Sequence, residues 1–434
     1  VLSCLGAFCI NMACGFMNSW GVCSIYIASY LRSHDSSTSI QIVDLVITLS
    51  AVVYGIGLIV STWLVDHIGP RATNMLGTVL MTLAFTFSAF VESTELFILL
   101  FGLFNGAGFG ISSLTGNNVA IRHFTYHRGK VLGFCASGNG FSTFLFGLTF
   151  TYIVNPYNYP PTIRAMENSQ EEYYFTNDIS ERTPTALLVT GGIVFFLGSL
   201  GSILMREREA PAVVVPLTED EESEILSDVG IPSEITLTTV GEVLKTSYFW
   251  KLTIVLYCGM SYCMWVYCSY KTFGAIYIES DHYLSYISAV GSVLNGISRG
   301  LFPFLLDYIS FYTLNKWAMA YEAFLAFSIY YAVQSRAAYM IVVASTFFIQ
   351  GSQFFPYSLI CIHEYGPILG PKVFSYLALG GTVAVAMPGI YYWLTVRNFG
   401  YFGSFFIQGV QVLIGLLMTY SLAWTSVDKR LETC

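Results

Sequence analysis

Arg299 follows Asn295 by four residues within the apolar stretch Gly291-Ser292-Val293-Leu294-Asn295-Gly296-Ile297-Ser298-Arg299-Gly300. On a helix, that spacing puts the amide and the guanidinium on one face. A guanidinium presents a planar fork of donors that matches a carboxylate. The chemistry to expect is therefore recognition of a carboxylate by Arg299, with Asn295 beside it. The competing assignment is a structural Arg paired with Asp307 or with helix carbonyls. A second cation in an apolar stretch is Lys271, within Tyr270-Lys271-Thr272-Phe273-Gly274. Its ammonium is a candidate for substrate contact or proton coupling, or its stem could snorkel to a polar boundary. Asn18 and Trp20, in Asn18-Ser19-Trp20-Gly21, either line a polar cavity or pack helices.

A different group of residues belongs at turns. In Trp63-Leu64-Val65-Asp66-His67-Ile68-Gly69-Pro70-Arg71, Gly69 and Pro70 supply a tight reversal. Asp66 stands where it can pair with a base or cap the next helix, and Arg71 anchors the same end. Leu64-Val65-Asp66 is echoed by Leu305-Leu306-Asp307, and Arg128-Gly129-Lys130 by Gly370-Pro371-Lys372. The chain carries no phosphate-cradling glycine loop and no nucleophile constellation. His363-Glu364 lacks the second His of a zinc motif. The 10 cysteines lie in or beside apolar segments or at the end of the chain, and read as small hydrophobes. No enzyme, metal site or cofactor is implied. A net charge of −8 without a basic run argues against nucleic acid.

The elements that must position these residues follow from composition. Hydrophobic residues make up 55% and charged residues 11%, against roughly 25% charged in soluble domains. Too few charges remain to cover a surface that faces water, so the surface must face lipid. The 38 glycines suit helices that approach closely in a bilayer. With about 20 apolar residues per crossing, twelve spans are predicted: 1–31, 41–63, 73–91, 95–121, 130–154, 184–205, 250–278, 284–306, 317–334, 337–361, 373–396 and 402–425. The first span already runs at Val1, which is expected of a trimmed N-terminus rather than a signal peptide. Two six-span sets, 1–206 and 249–434, flank a linker, 207–248, with the acidic run 219–224. Positive charges such as Arg71, Arg122, Arg128, Lys130 and Lys251 gather on one side. That bias predicts cytoplasmic termini, a cytoplasmic linker and an external, Tyr-rich loop 155–183. Asp44 and Glu322, near predicted helix ends, are expected to stay hydrated.

The turn at Asp66, Gly69 and Arg71 resembles the signature loop of the major facilitator superfamily. The stretches around Lys271, Asn295, Arg299 and Asp307, with Tyr365-Gly366 and Gly370-Pro371-Lys372, are similar to the oxalate/formate antiporter and monocarboxylate transporter group. The resemblance implies an all-α integral membrane fold of twelve helices in two bundles. It also implies transport by alternating access, with Asp66, Gly69, Arg71 and Asp307 as a conformational latch. Arg299, Asn295, Lys271, Asn18 and Trp20 then become the candidate substrate residues. Some relatives carry a second cation within span eleven, whereas here Lys372 stands only at its inner edge. That departure favours a small monocarboxylate, with a proton as candidate co-substrate. Another small solute, or a sensor on the same fold, is the alternative. A plasma membrane is favoured over an organelle membrane, and the oligomeric state is left open.

Overall fold

The computed structural model describes residues 2–124, 127–157, 159, 161–167, 170–206, 239–278 and 280–432. Residues 219–224 and most of the predicted linker 207–248 lie outside the described residues. Long apolar helices dominate the rest. Among the described residues, nine helical stretches are long and apolar enough to cross a membrane. One of them, Ile40–Ser88, is 49 residues long and breaks at Gly69 (φ 78°, ψ 162°), so it holds predicted spans two and three. Helices Asp281–Leu305 and Phe311–Ala332, of 25 and 22 residues, occupy predicted spans eight and nine. Twelve membrane helices fit this arrangement.

Hydroxyl caps account for many of the helix starts. Ser93, Thr246, Ser280, Ser310 and Ser335 each accept a backbone N–H from the first turn of the helix that follows. Such a cap satisfies a donor that has no partner within the helix. The cap at Ser310 corrects the sequence-based start of span nine. The helix begins at Phe311 rather than 317, because Asn315 and Lys316 continue it instead of ending a loop. Glu322 therefore sits mid-helix and is fully buried, not hydrated at an end.

Spans one and ten are among those that are interrupted. Span one runs as Leu2–Cys14, a 3-10 stretch Gly15–Ser19, and Trp20–His34. Span ten runs as Arg336–Gln350, stops for four residues, and resumes at Phe355. The loop 155–183 is not wholly irregular: β1 (Ile163–Glu167) pairs antiparallel with β2 (Gln170–Tyr174), with Ile163 opposite Tyr174. Its end is fastened to span one, since the Phe175 N–H donates to Ser29 Oγ at 3.0 Å and the Phe175 ring stacks on Tyr26.

The chain divides into two compact units. The first is Val1–Asn117 with Cys135–Met205, and the second is Asn118–Phe134 with Arg206–Cys434. Glycines set the close approaches within the first unit. A Cβ on Gly106 would meet the backbone of Ser50, and one on Gly108 the backbone of Gly77 and Met81. Small residues at such contacts let membrane helices pack backbone to backbone.

Candidate functional site

Within the second unit, Asn295 organises a polar cluster made by spans seven, eight and ten. It is 6% exposed. Its Nδ2 donates to the Phe347 carbonyl at 2.8 Å and to Gln350 Oε1 at 3.0 Å. With the amide nitrogen so engaged, Oδ1 faces Arg299 and accepts from its Nε at 2.8 Å. An amide carries its donors and its acceptor on opposite atoms, so the two carbonyl-type partners fix which way it points. The guanidinium is thereby held by its inner nitrogen. Arg299 is half-buried and stands about 9 Å along the helix from Leu305, at 1.5 Å per residue.

The Tyr267 ring stacks on Phe347, whose carbonyl Asn295 holds, with centroids 4.3 Å apart. Gln350 Nε2 points to Met264 Sδ at 3.7 Å. A guanidinium in this setting has the donor geometry that suits a carboxylate. Lys271 is exposed and stands one helical turn beyond Tyr267, close to the helix end at Ala275.

Asp307 is committed elsewhere in the second unit. Its Oδ1 accepts the Gly129 N–H at 2.8 Å, and its Oδ2 accepts the Lys130 N–H at 3.0 Å. These are among the first N–H groups of helix Arg128–Val154, where a carboxylate meets both open donors and the positive end of the helix dipole. Gly129 has no room for a side chain, since a Cβ would lie 2.8 Å from Asp307 Oδ1 and closer still to the Pro303 carbonyl. The proposed pairing of Arg299 with Asp307 thus gives way to two separate contacts.

In the first unit, the turn at Gly69 has the geometry its sequence predicts. Pro70 is buried in the first turn after it, and Asp66 is exposed at the preceding helix end. Arg71 Nε donates to the Met205 carbonyl at 2.5 Å, which closes the C-terminus of helix Thr183–Leu204. Asn18 lies in the 3-10 break of span one and gives its Nδ2 to Asn139, at 2.7 Å to Oδ1 and 3.1 Å to the carbonyl. Trp20 is 2% exposed, donates to Asp44 Oδ1 at 2.8 Å, and packs on Phe101.

Two neighbours of Asn295 in this cluster, Gln350 and Phe347, escape selection by sequence alone. The available signal was the polar run Gln350-Gly351-Ser352-Gln353 in the middle of an apolar segment, which marks the break in span ten.

A model for the Major Facilitator Superfamily matches residues 7–387. The chain belongs to that superfamily. The similarity to Apicoplast pyruvate carrier 1 of Toxoplasma gondii is 23% identity, covering 87% of this chain and 82% of that carrier. Monocarboxylate transporter 14 of Mus musculus is 27% identical over 114 residues, 26% of this chain and 22% of that one. A solved major facilitator transporter, FucP in the outward conformation, superimposes with a TM-score of 0.65 at 12% identity, covering 97% of this chain and 98% of that one. The superfamily and its fold are those of multi-pass membrane transporters. The expected resemblance to the monocarboxylate transporter group holds.

Proposed function

We propose that this major facilitator protein is a secondary active transporter of a small monocarboxylate, held by Arg299 and working by alternating access. One observation carries the proposal: a half-buried Arg in span eight has its Nε fixed by a buried Asn. Positioning the fork before substrate arrives lowers the ordering cost of binding. The names of two similar proteins, a pyruvate carrier and a monocarboxylate transporter, point to the same substrate class. Lys271 would serve as a second cation nearer the outer end, and Asn18 as a polar element of span one. A proton is the proposed co-substrate.

Asp66, Gly69, Arg71 and Asp307 would govern the switch between states. Asp307 is the best supported of these, because it holds the first N–H groups of helix Arg128–Val154. The division into bundles at 1–206 and 249–434, cytoplasmic termini and a plasma-membrane location complete the proposal.

Counterflow in proteoliposomes, with pyruvate, lactate, formate and oxalate as competitors, tests the substrate. Arg299→Ala and Arg299→Lys should abolish uptake of the monocarboxylates, since an ammonium does not reproduce the fork. Unchanged uptake in folded Arg299→Ala would sink the role of the clamp. Uptake of a sugar or amino acid in preference to every acid would reassign the substrate. Ligand binding without movement across the bilayer would indicate a sensor.

A further inference from the structure

Glu322 lies in the middle of helix Phe311–Ala332 and is fully buried. A buried carboxylate needs a cation or a full set of donors. Among the described residues, no Lys, Arg or His acts on it. Its Oε1 accepts from Gln353 Nε2 and from the Cys263 thiol at 3.8 Å. Among the described residues, its buried Oε2 has no hydrogen-bond partner, and neither has the Oε1 of Gln353. The titratable groups that face it are Cys258, Tyr262 and Cys263 of span seven and Tyr357 of span ten. All are neutral acids in their ordinary state and bring no positive charge. The cluster therefore holds more acceptors than donors. One proton on the carboxyl supplies the missing donor and removes the uncompensated charge. With the Gln353 amide turned over, an assignment fixed only by its hydrogen bonds, that proton can be donated to the amide oxygen.

A second, independent feature singles out this carboxyl. Gln353 lies in the four-residue break of span ten, between Gln350 and Phe355. Interrupted membrane helices commonly flank substrate and ion sites, because the released backbone can regroup there. The other edge of the same break is Gln350, which accepts from Asn295, the residue that holds Arg299. Gly351, within the break, has no room for a Cβ against Ser298 and the Arg299 backbone. The Arg299 clamp and the Glu322 carboxyl thus share one short irregular segment as a common wall.

We propose that Glu322 is a proton-binding site of this transporter, and that the break at residues 351–354 couples its protonation to occupancy of the Arg299 clamp. The carboxylate takes one proton from water when the cluster is open to one side of the membrane. It returns that proton to water on the other side, and the cluster is uncharged while closed. The proton site stands on the geometry around Glu322 alone. Its tie to transport rests on the monocarboxylate reading given above.

Two measurements on the full-length protein separate these parts. Infrared spectra of purified protein at neutral pH should contain the carbonyl band of a protonated carboxyl, lost in Glu322→Gln and displaced in Glu322→Asp. Absence of that band from the native protein, or its persistence unchanged in both variants, overturns the proton site whether or not the protein transports pyruvate. In proteoliposomes, an inward proton gradient should drive accumulation of labelled pyruvate by the native protein and by Glu322→Asp. Glu322→Gln, which mimics the neutral acid, should keep pyruvate counterflow at equal pH and lose the gradient-driven component. Accumulation by Glu322→Gln equal to native overturns the coupling. A native protein that shows the infrared band but moves no monocarboxylate refutes the substrate and the coupling while leaving the proton site in place.

Discussion

At the scale of single residues, Asn295 is as informative as Arg299. It spends its amide nitrogen on two oxygens of span ten and its amide oxygen on the guanidinium. A hydrogen bond to a charged group contributes about 1.5–3 kcal/mol. Asn295→Ala should therefore raise the substrate concentration for half-maximal uptake by roughly 10–100-fold while Arg299 remains in place. Uptake kinetics over a range of pyruvate concentrations would show it, and an unchanged half-saturation point would refute the positioning role. The i, i+4 spacing made this pair readable in the sequence. Gln350 and Phe347 were not readable, because they come from another span and no spacing rule connects residues across a bundle. Glu322 was misplaced for a local reason. Asn315 and Lys316 look like loop residues, yet Ser310 caps a helix that runs straight through them.

At the scale of elements, three single-glycine breaks punctuate the described helices. Gly69 has φ 78° and ψ 162°, Gly366 has φ 78° and ψ 171°, and Gly400 has φ 67° and ψ −178°. Backbone in that region is essentially restricted to glycine, and another residue there costs on the order of 1–3 kcal/mol. Gly69→Ala and Gly366→Ala are each expected to lower the unfolding temperature in detergent, with neither substitution touching the clamp. Melting curves equal to the native curve would contradict the strain. The Gly-Pro sequence at 69–70 announced the first turn. Breaks within spans one and ten were less legible, because apolar residues flank them on both sides and a hydropathy window averages over four residues. The hairpin in loop 155–183 was likewise hidden. Its strands are short, and its attachment at Ser29 and Tyr26 lies more than a hundred residues away in sequence.

At the scale of the whole molecule, Asp307 ties the start of helix Arg128–Val154 to a residue 178 positions beyond Gly129 in the chain. A carboxylate at a helix N-terminus contributes about 0.3–1 kcal/mol. Asp307→Ala should speed hydrogen exchange at the Gly129 and Lys130 amides by roughly 2–5-fold. Mass spectrometry of the peptide around residue 129 reads this directly, and unaltered exchange would show that other contacts hold the segment.

Composition alone determined that the chain is a membrane protein, since 11% charged residues cannot cover a surface that faces water. Apolar segment lengths predicted twelve spans, a count that fits the superfamily's fold, and the turn at Asp66, Gly69 and Arg71 pointed to the superfamily. These properties are local: a segment's hydropathy and a turn's residue types do not depend on what packs against them. Tertiary structure decided the rest. It took Asp307 away from Arg299, gave Asn295 to span ten, and joined the Trp20 indole to Asp44. It also put Glu322 in a buried cluster with Gln353 and Cys263. Which polar atoms meet inside a bilayer is set by helix rotation and by breaks in the helices, and both arise only when the spans pack together.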